Sequence, residues 1–372
     1  MRIPIVFIHK GGGVVFNDAP FNYLNFATLQ ARLFNPDADI WVIGDSPCLD
    51  SLLPFHSHSV DLTLFQDSIT EVAGIYKHLS PNNPDIEMFC IARWFVVREW
   101  MRQHKIDRCL HLDSDVLLYE NAQTLNRTFA DCDITLSGGS SPAGSIISLA
   151  ALDAFCHLVV QSYTTPDKMY ELEQIREELI SSGQTHGISD MHFMGLLVER
   201  DPVRNRPVHA HNSSPSIDTS INSPEEFQMR DDIKRIEFIN GLPHAFRTDS
   251  AAAHRFALLH FQGNSKGLMQ NYLAWPPETP WPGGALVPLV KKHWQSLRDS
   301  AVRIRSVSNR NTKLEKRLQA VRKNSQLLRN SLRGLMQSSW IKAGGALRLT
   351  CAKETLAECH RLSEEMHENA RS

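Results

Sequence analysis

The chain has 372 residues, 42% of them hydrophobic, with a formal net charge of −2 and a sequence isoelectric point near 6.8. That length fills a large core with an appendage to spare, and the near-neutral balance gives no reason to expect nucleic acid as a partner. The charge is unevenly spread. Residues 291–372 carry 18 Lys and Arg against 7 Asp and Glu, which leaves 21 against 34 in the rest, so an acidic body bears a basic tail.

The seven cysteines, Cys48, Cys90, Cys109, Cys132, Cys156, Cys351 and Cys359, are odd in number, scattered, and form no Cys-x-x-Cys pair. This argues against a disulfide framework or a zinc knuckle and for a reducing compartment. The apolar run after Met1-Arg2 is too short for a signal peptide. Residues 134–152 are uncharged but broken by Ser, Gly and Pro, a poor membrane span. The expected location is cytoplasmic, peripheral at the inner face of a membrane at most.

In chain order, Ile3 to Ile8 is a continuous apolar run that predicts a strand buried on both faces. His9-Lys10-Gly11-Gly12-Gly13 follows as a loop at its C-terminal end, the place where open α/β sheets bind ligands. The glycine spacing matches neither a dinucleotide fingerprint nor a P-loop. A helix is expected over 22–34, ended by Asn35-Pro36, and a second buried strand over Ile40–Ile43. Strand, helix, strand is the opening of a parallel sheet. Residues 88–102 predict a helix apolar nearly all round. Arg93 lies inside that pattern, so its guanidinium either meets a structural carboxylate or points at a ligand phosphate.

Leu110-His111-Leu112-Asp113-Ser114-Asp115-Val116-Leu117-Leu118 is the stretch on which the chain turns. Read as a strand, it sets Asp113 and Asp115 on one face and Ser114 on the other. Two carboxylates this close repel unless a counter-charge compensates them, and Mn²⁺ or Mg²⁺, which favour oxygen ligands, would do so. Further on, a strand is expected at Ile134–Leu136, then a Gly/Ser loop and Pro142-Ala143-Gly144. Helices are expected over 151–163, 169–181 (a charged surface insertion) and 190–199. The Pro-punctuated stretch 201–230 reads as irregular, 236–241 as a hairpin turning at Asn240-Gly241, and 256–261 as a strand ending near His260. Residues 274–288 form a Pro/Trp-rich linker. Beyond it, within the tail 289–372, a heptad register over 297–335 (Leu297, Ile304, Val307, Leu314, Leu318, Val321, Leu328, Leu332, Leu335) predicts a coiled-coil-like helix, with homo-oligomerisation the natural use. The basic piece around 340–349 would allow peripheral membrane contact, although a solvated or partner-facing helix explains it as well.

Four local signals occur in a telling order: Asp113-Ser114-Asp115 after an apolar run, Ala143-Gly144 before another, Ser189-Asp190 opening a helix, and His260-Phe261-Gln262-Gly263-Asn264-Ser265-Lys266. Together they resemble nucleotide-sugar glycosyltransferases of the GT-A type, and family 8 in particular, over residues 3–266. The resemblance implies an α/β, GT-A (Rossmann-like) fold: a mixed, mostly parallel sheet flanked by helices over 1–273, with a C-terminal helical extension. It implies Mn²⁺ or Mg²⁺ held by Asp113, Asp115 and His260 against a donor diphosphate, with Lys266 and Arg93 reaching the donor. Ser114, Ala143, Gly144 and Gly263, within the matched motifs, would line the donor site, and His9 and Lys10 would join them if their strand-end loop is more than a plain turn. Asp190 would begin the helix of the sugar pocket, and Asp190 or His192 would be the base of an inverting reaction. The activity implied is transfer of a hexose from a nucleotide diphosphate sugar, a UDP-sugar by resemblance, to a glycan, lipid-linked or protein acceptor.

The chain departs from the family pattern at Pro142, where an Asn is usual, at Met191-His192, where a Gln follows the Asp, and at Gly267, where Pro-Trp is usual. These changes leave the metal and diphosphate residues in place and leave donor identity and stereochemistry open. Two rival readings remain. One is a non-catalytic nucleotide-sugar-binding scaffold that oligomerises through 297–335. The other is a haloacid-dehalogenase-type phosphatase, whose acidic motif stands near the start of its fold, whereas here a long α/β stretch precedes Asp113.

Overall fold

The computed structural model describes residues 2–11, 14–16, 19–21, 23–183, 187–201, 204–208, 215–250 and 252–274. The linker beyond residue 274, the tail 289–372 and its heptad segment 297–335 lie outside the described residues.

The apolar runs form the strands Ile5–His9, Ile40–Gly44 and Arg108–Leu112. They lie parallel, with Ile5 opposite Ile40 on one side and Leu110 on the other. His58–Asp61 extends the sheet beyond Ile40–Gly44, again parallel. On the other side come Gly144–Ser148, Ile134–Ser137 and Asn205–Val208, giving seven strands in the order 205–208, 134–137, 144–148, 108–112, 5–9, 40–44, 58–61. Gly144–Ser148 alone in this sheet runs against the rest. The fold is thus mixed α/β with a mostly parallel central sheet. Asn205–Val208 corrects the irregular reading of 201–230; its Pro207 is tolerated because the strand is at the sheet edge.

Alternation along Ile5–His9 sends Val6 and Ile8 into one core, with residues of the helices Pro84–His104, Leu149–Thr164 and Asp190–Arg200. Ile5 and Phe7, equally buried, take the other face. On that side the helix Leu24–Phe34 packs near Ile40–Gly44 and Val116–Leu118. Helix Pro84–His104 begins earlier than periodicity suggested. Asn83 accepts from the backbone N–H groups of Asp85 and Ile86, and Pro84 needs no donor in the first turn. In the charged helix Pro166–Ser181 only Leu172 is buried. Among the described residues no helix is long and apolar enough to cross a membrane.

The acidic motif differs from expectation in a way that matters. Strand Arg108–Leu112 stops before it, and Asp113-Ser114-Asp115 forms a tight turn in which the Val116 N–H donates to the Asp113 carbonyl at 3.1 Å. The chain resumes as strand Val116–Leu118, which leaves the main sheet and pairs antiparallel with Ala253–His260, setting Val116 opposite His260. Ala253–His260 is the centre of a smaller sheet with Ser216–Ile217, Leu242–Phe246 and Ile236–Ile239. Asn240 and Gly241, both at positive φ (51° and 76°), turn the hairpin between the last two.

The two sheets meet at Gly144. A Cβ there would lie 2.4 Å from Leu258 Cδ2, so only glycine lets the strand beside the acidic turn approach the strand that ends in His260. Gly144→Ala is expected to destabilise the protein by about 1–3 kcal/mol, read as a lower urea midpoint with an unchanged slope. A midpoint equal to that of the unsubstituted protein would mean that Leu258 moves aside freely.

Candidate active site

Strands Arg108–Leu112, Ile5–His9 and Ile40–Gly44 lie side by side and end on one edge of the sheet, with Asp113 and Asp45 following the strands on either side of the one that ends in His9. Asp45 ties the edge down. Its carboxylate accepts from the Gly11 N–H at 2.9 Å and caps the short helix Ser46–Asp50 through the Cys48 N–H. At this edge Asp113, Asp115 and His260 each offer a ligand atom within 4.8 Å of the other two.

His260 is almost fully buried, and its Nδ1–H donates to the Thr219 carbonyl at 2.6 Å. That bond fixes the tautomer and leaves Nε2 free to face Asp115, 3.5 Å from Oδ1. Lys266 stands 3.2 Å from the other Asp115 oxygen. Burial by itself raises the Asp115 carboxyl, but the His260 ring and Lys266 outweigh it and hold it below the ordinary 3.8. Burial likewise depresses the His260 imidazole, and Asp115 and then Asp113 reverse this and carry it above 6.5. The donor set, two carboxylates and an imidazole with a committed Nδ1, fits Mn²⁺ or Mg²⁺. Asp113, Asp115 and His260 are the residues that would hold the ion.

Of the two partners the sequence allows it, Arg93 meets carboxylates here. Its Nη1 donates to Asp113 Oδ1 at 2.6 Å and its Nη2 to Asp190 Oδ2 at 2.9 Å. Burial works against the guanidinium charge, and the two aspartates outweigh it and raise its pKa further. Asp190 also accepts from Trp94 Nε1 at 3.0 Å and from the Met191 N–H at 2.9 Å. Arg93 therefore links the helix before the acidic turn to the first residue of helix Asp190–Arg200.

The remaining expected residues fall at different distances from this cluster. Ser114 donates weakly to the Tyr23 hydroxyl at 3.4 Å. The Tyr23 ring meets His9 edge-on at 5.6 Å and stands under Lys266 at 5.4 Å. Lys10, exposed, lies over the Phe89 ring at 5.6 Å. Ala143 accepts from the Asp113 N–H at 2.6 Å and so anchors the turn through its backbone. Gly144 is turned toward Leu258, which gives its missing side chain a packing reason. Gly263 has φ +62° and open space around it, the left-handed residue that starts the 3₁₀ stretch Gly263–Tyr272 carrying Lys266. His192 packs on Phe193 with its Nε2 unpartnered. Two residues from Asp190, it points about 200° around the helix from it.

Several participants carried no sequence signal. Tyr23 looked like one more apolar helix residue. His111, fully buried beneath Asp113 with its Nδ1 on the Pro142 carbonyl, was hidden in an apolar run; burial pushes it down to about 4, with Asp113 pulling the other way. Lys234, with no exposed surface, donates to Asp218, Glu225 and the Ser220 carbonyl behind His260. A lysine in the charged stretch Asp231-Asp232-Ile233-Lys234-Arg235 gives no hint of burial.

No family model and no curated protein sequence matches the chain. Among solved structures it is similar to a galactosyltransferase, LgtC, determined with donor and acceptor sugar analogues. That pair shares 15% identity over 71% of this chain and 89% of that one, with a TM-score of 0.40. It is similar to mouse xyloside xylosyltransferase 1 at 12% identity over 54% and 83% of the two chains, TM-score 0.37. It is also similar to a CMP-2-keto-3-deoxy-manno-octonic acid synthetase bound to CTP, at 12% identity over 54% and 100%, TM-score 0.28.

Two outcomes are expected. Arg93→Met strands two carboxylates in a mostly buried site and should cost roughly 3–5 kcal/mol of stability, measured by urea unfolding; a loss below that of an ordinary surface substitution would contradict the clamp. The Asp115–His260 pair should make stability pH-dependent when divalent ions are chelated. Asp115, held low, contributes above 3.8 and loses its contribution as pH falls; His260, held high, contributes below 6.5 and loses it as pH rises. The stability gap to His260→Gln should therefore be widest between those two values. A gap that grows steadily toward alkaline pH would refute the pairing.

Proposed function

We propose that the chain is a divalent-cation-dependent glycosyltransferase that moves a hexose from a nucleoside diphosphate donor, a UDP-sugar by its sequence resemblance, to a glycan, lipid-linked or protein acceptor. One observation carries this reading. Two carboxylates and an imidazole converge within 4.8 Å, with a lysine at 3.2 Å, on the edge where the parallel strands end. That edge is where open α/β sheets hold nucleotides.

Cleavage of a sugar–diphosphate bond builds negative charge on the departing diphosphate, and groups that meet the charge as it forms lower the barrier. A divalent ion, when bound, supplies part of that neutralisation. Lys266 supplies another part. Its side chain is partly exposed and its partner Asp115 is one of the residues that would hold the ion, so its ammonium is positioned to turn to a phosphate oxygen. Arg93, by contrast, is committed to Asp113 and Asp190; it sets the direction of the Asp113 carboxylate instead of meeting the donor directly. The Tyr23 ring beside Lys266 offers an aromatic surface next to the charged cluster. In an inverting reaction Asp190 is the base to test, since it adjoins Asp113 through Arg93 while His192 faces elsewhere; to take a proton it would have to leave the Arg93 and Trp94 donors that hold it.

The test is hydrolysis of a panel of UDP- and GDP-sugars with Mn²⁺ or with a chelator. Asp115→Ala should abolish ion-dependent donor binding with the fold intact. Lys266→Ala should lower kcat by roughly a hundredfold, as loss of one preorganised charge contact does. Hydrolysis indifferent to chelation, or UDP affinity unchanged in Asp115→Ala, would overturn the proposal.

A further inference from the structure

His260 is not merely at the end of a strand; every polar group it owns except Nε2 is held by one short segment. Its backbone N–H donates to Asp218 Oδ2 at 3.0 Å, its carbonyl accepts from the Ile221 N–H at 2.8 Å, and its Nδ1–H donates to the Thr219 carbonyl at 2.6 Å. Segment 218–221 is in turn fixed from behind. The Lys234 ammonium, wholly buried, uses all three of its donors there: Asp218 Oδ1 at 2.6 Å, Glu225 Oε2 at 2.6 Å and the Ser220 carbonyl at 2.7 Å. The Lys234 N–H closes on the Ile221 carbonyl at 2.7 Å. Thr219 is held by its hydroxyl, which donates to Glu225 Oε1 at 2.6 Å, and its side chain fills the space beside Gly138, where an added Cβ would come within 3.0 Å of it.

A buried ion cluster of this kind is a poor device for stability alone, since desolvating the charges offsets most of their attraction. Its geometry, however, does one specific thing: it determines where the Thr219 carbonyl stands, and that carbonyl selects the tautomer and angle of the His260 ring. Metal-binding imidazoles depend on such a partner at the second nitrogen, and removing it typically costs 10- to 100-fold in affinity.

We propose that Thr219 and Glu225, braced by Lys234 and Asp218, are positioning residues that present His260 Nε2 to a divalent cation. The inference rests on the cation site proposed above. Without the brace the ring would keep its burial but lose its fixed orientation, so the effect should fall on ion affinity before it falls on folding. Lys234→Met would be the obvious substitution, but it strands two carboxylates and endangers the fold. Thr219→Val keeps the shape and removes only the hydroxyl tie; Thr219→Ser restores that tie; Glu225→Gln, at a partly exposed side chain, loosens the brace from the other end.

The experiment measures Mn²⁺ binding to the full chain by calorimetry or by the loss of the free-ion electron paramagnetic resonance signal, alongside urea unfolding with a chelator present. Thr219→Val and Glu225→Gln are expected to bind Mn²⁺ about tenfold more weakly, with Thr219→Ser close to the unsubstituted protein. If the unsubstituted protein binds Mn²⁺ and both variants bind it equally well, with only their unfolding midpoints lowered, the brace is purely structural and the inference fails while the cation site stands. If the unsubstituted protein binds no Mn²⁺ and matches Asp115→Ala, the cation site itself fails and takes the inference with it.

Discussion

Everything at the sheet edge follows from like charges being brought together. Asp113, Asp115 and Asp190 are mostly withdrawn from water, and carboxylates so placed must be answered by cations or hydrogen-bond donors. The chain answers them individually. Arg93 spans Asp113 and Asp190, while His260 and Lys266 share Asp115. The two arrangements differ in purpose. A guanidinium bidentate between two carboxylates, backed by the Trp94 ring at 4.8 Å, is a fixed brace. A lysine on a 3₁₀ stretch can turn away from Asp115, while an imidazole with only Nδ1 committed keeps Nε2 directed at the two carboxylates, where in the proposed reading an ion would sit.

This division explains why the site is assembled from two sheets. The main sheet supplies a stiff edge with Asp113 at the end of its central region, and the smaller sheet brings His260 to it along strand 253–260. The acidic turn is the crossing point between the two. Its first residue closes onto Ala143 of the main-sheet neighbour, and the strand after it pairs with Ala253–His260. A turn of three residues thereby carries the chain from one sheet to the other and orients both carboxylates on the way.

Much of this was legible in the sequence because strands buried on both faces announce themselves. The runs at Ile3–Ile8 and Ile40–Ile43 admit few alternatives, and Asn240-Gly241 between apolar segments specifies its hairpin. Asp113, Asp115, His260 and Lys266 are grouped by the family resemblance that their order carries, and the chain does bring them together. The local geometry was not legible. Asp113-Ser114-Asp115 satisfies strand periodicity as well as it satisfies a turn, and only the hydrogen bonds of neighbouring strands decide between them. Asn205–Val208 was obscured by Pro207, which argues against a strand unless the strand's edge position is known. Lys234 and Asp218 were beyond reach for a different reason: a buried ion pair is written with the same letters as a solvated one, and nothing in their neighbours' periodicity separates the two.

The ladder that joins Val116–Leu118 to Ala253–His260 has a consequence outside the chemistry. Leu117 lies across from Leu259 and Leu118 across from Leu258, and these oily rungs set how far along its neighbour the histidine comes to rest. Side chains in a strand alternate sides, so a slip of one rung would swing the imidazole to the opposite face. The leucines thus act as a ruler, and a change of bulk among them, remote from any charged atom, would be felt as a mismeasured distance between acid and ring.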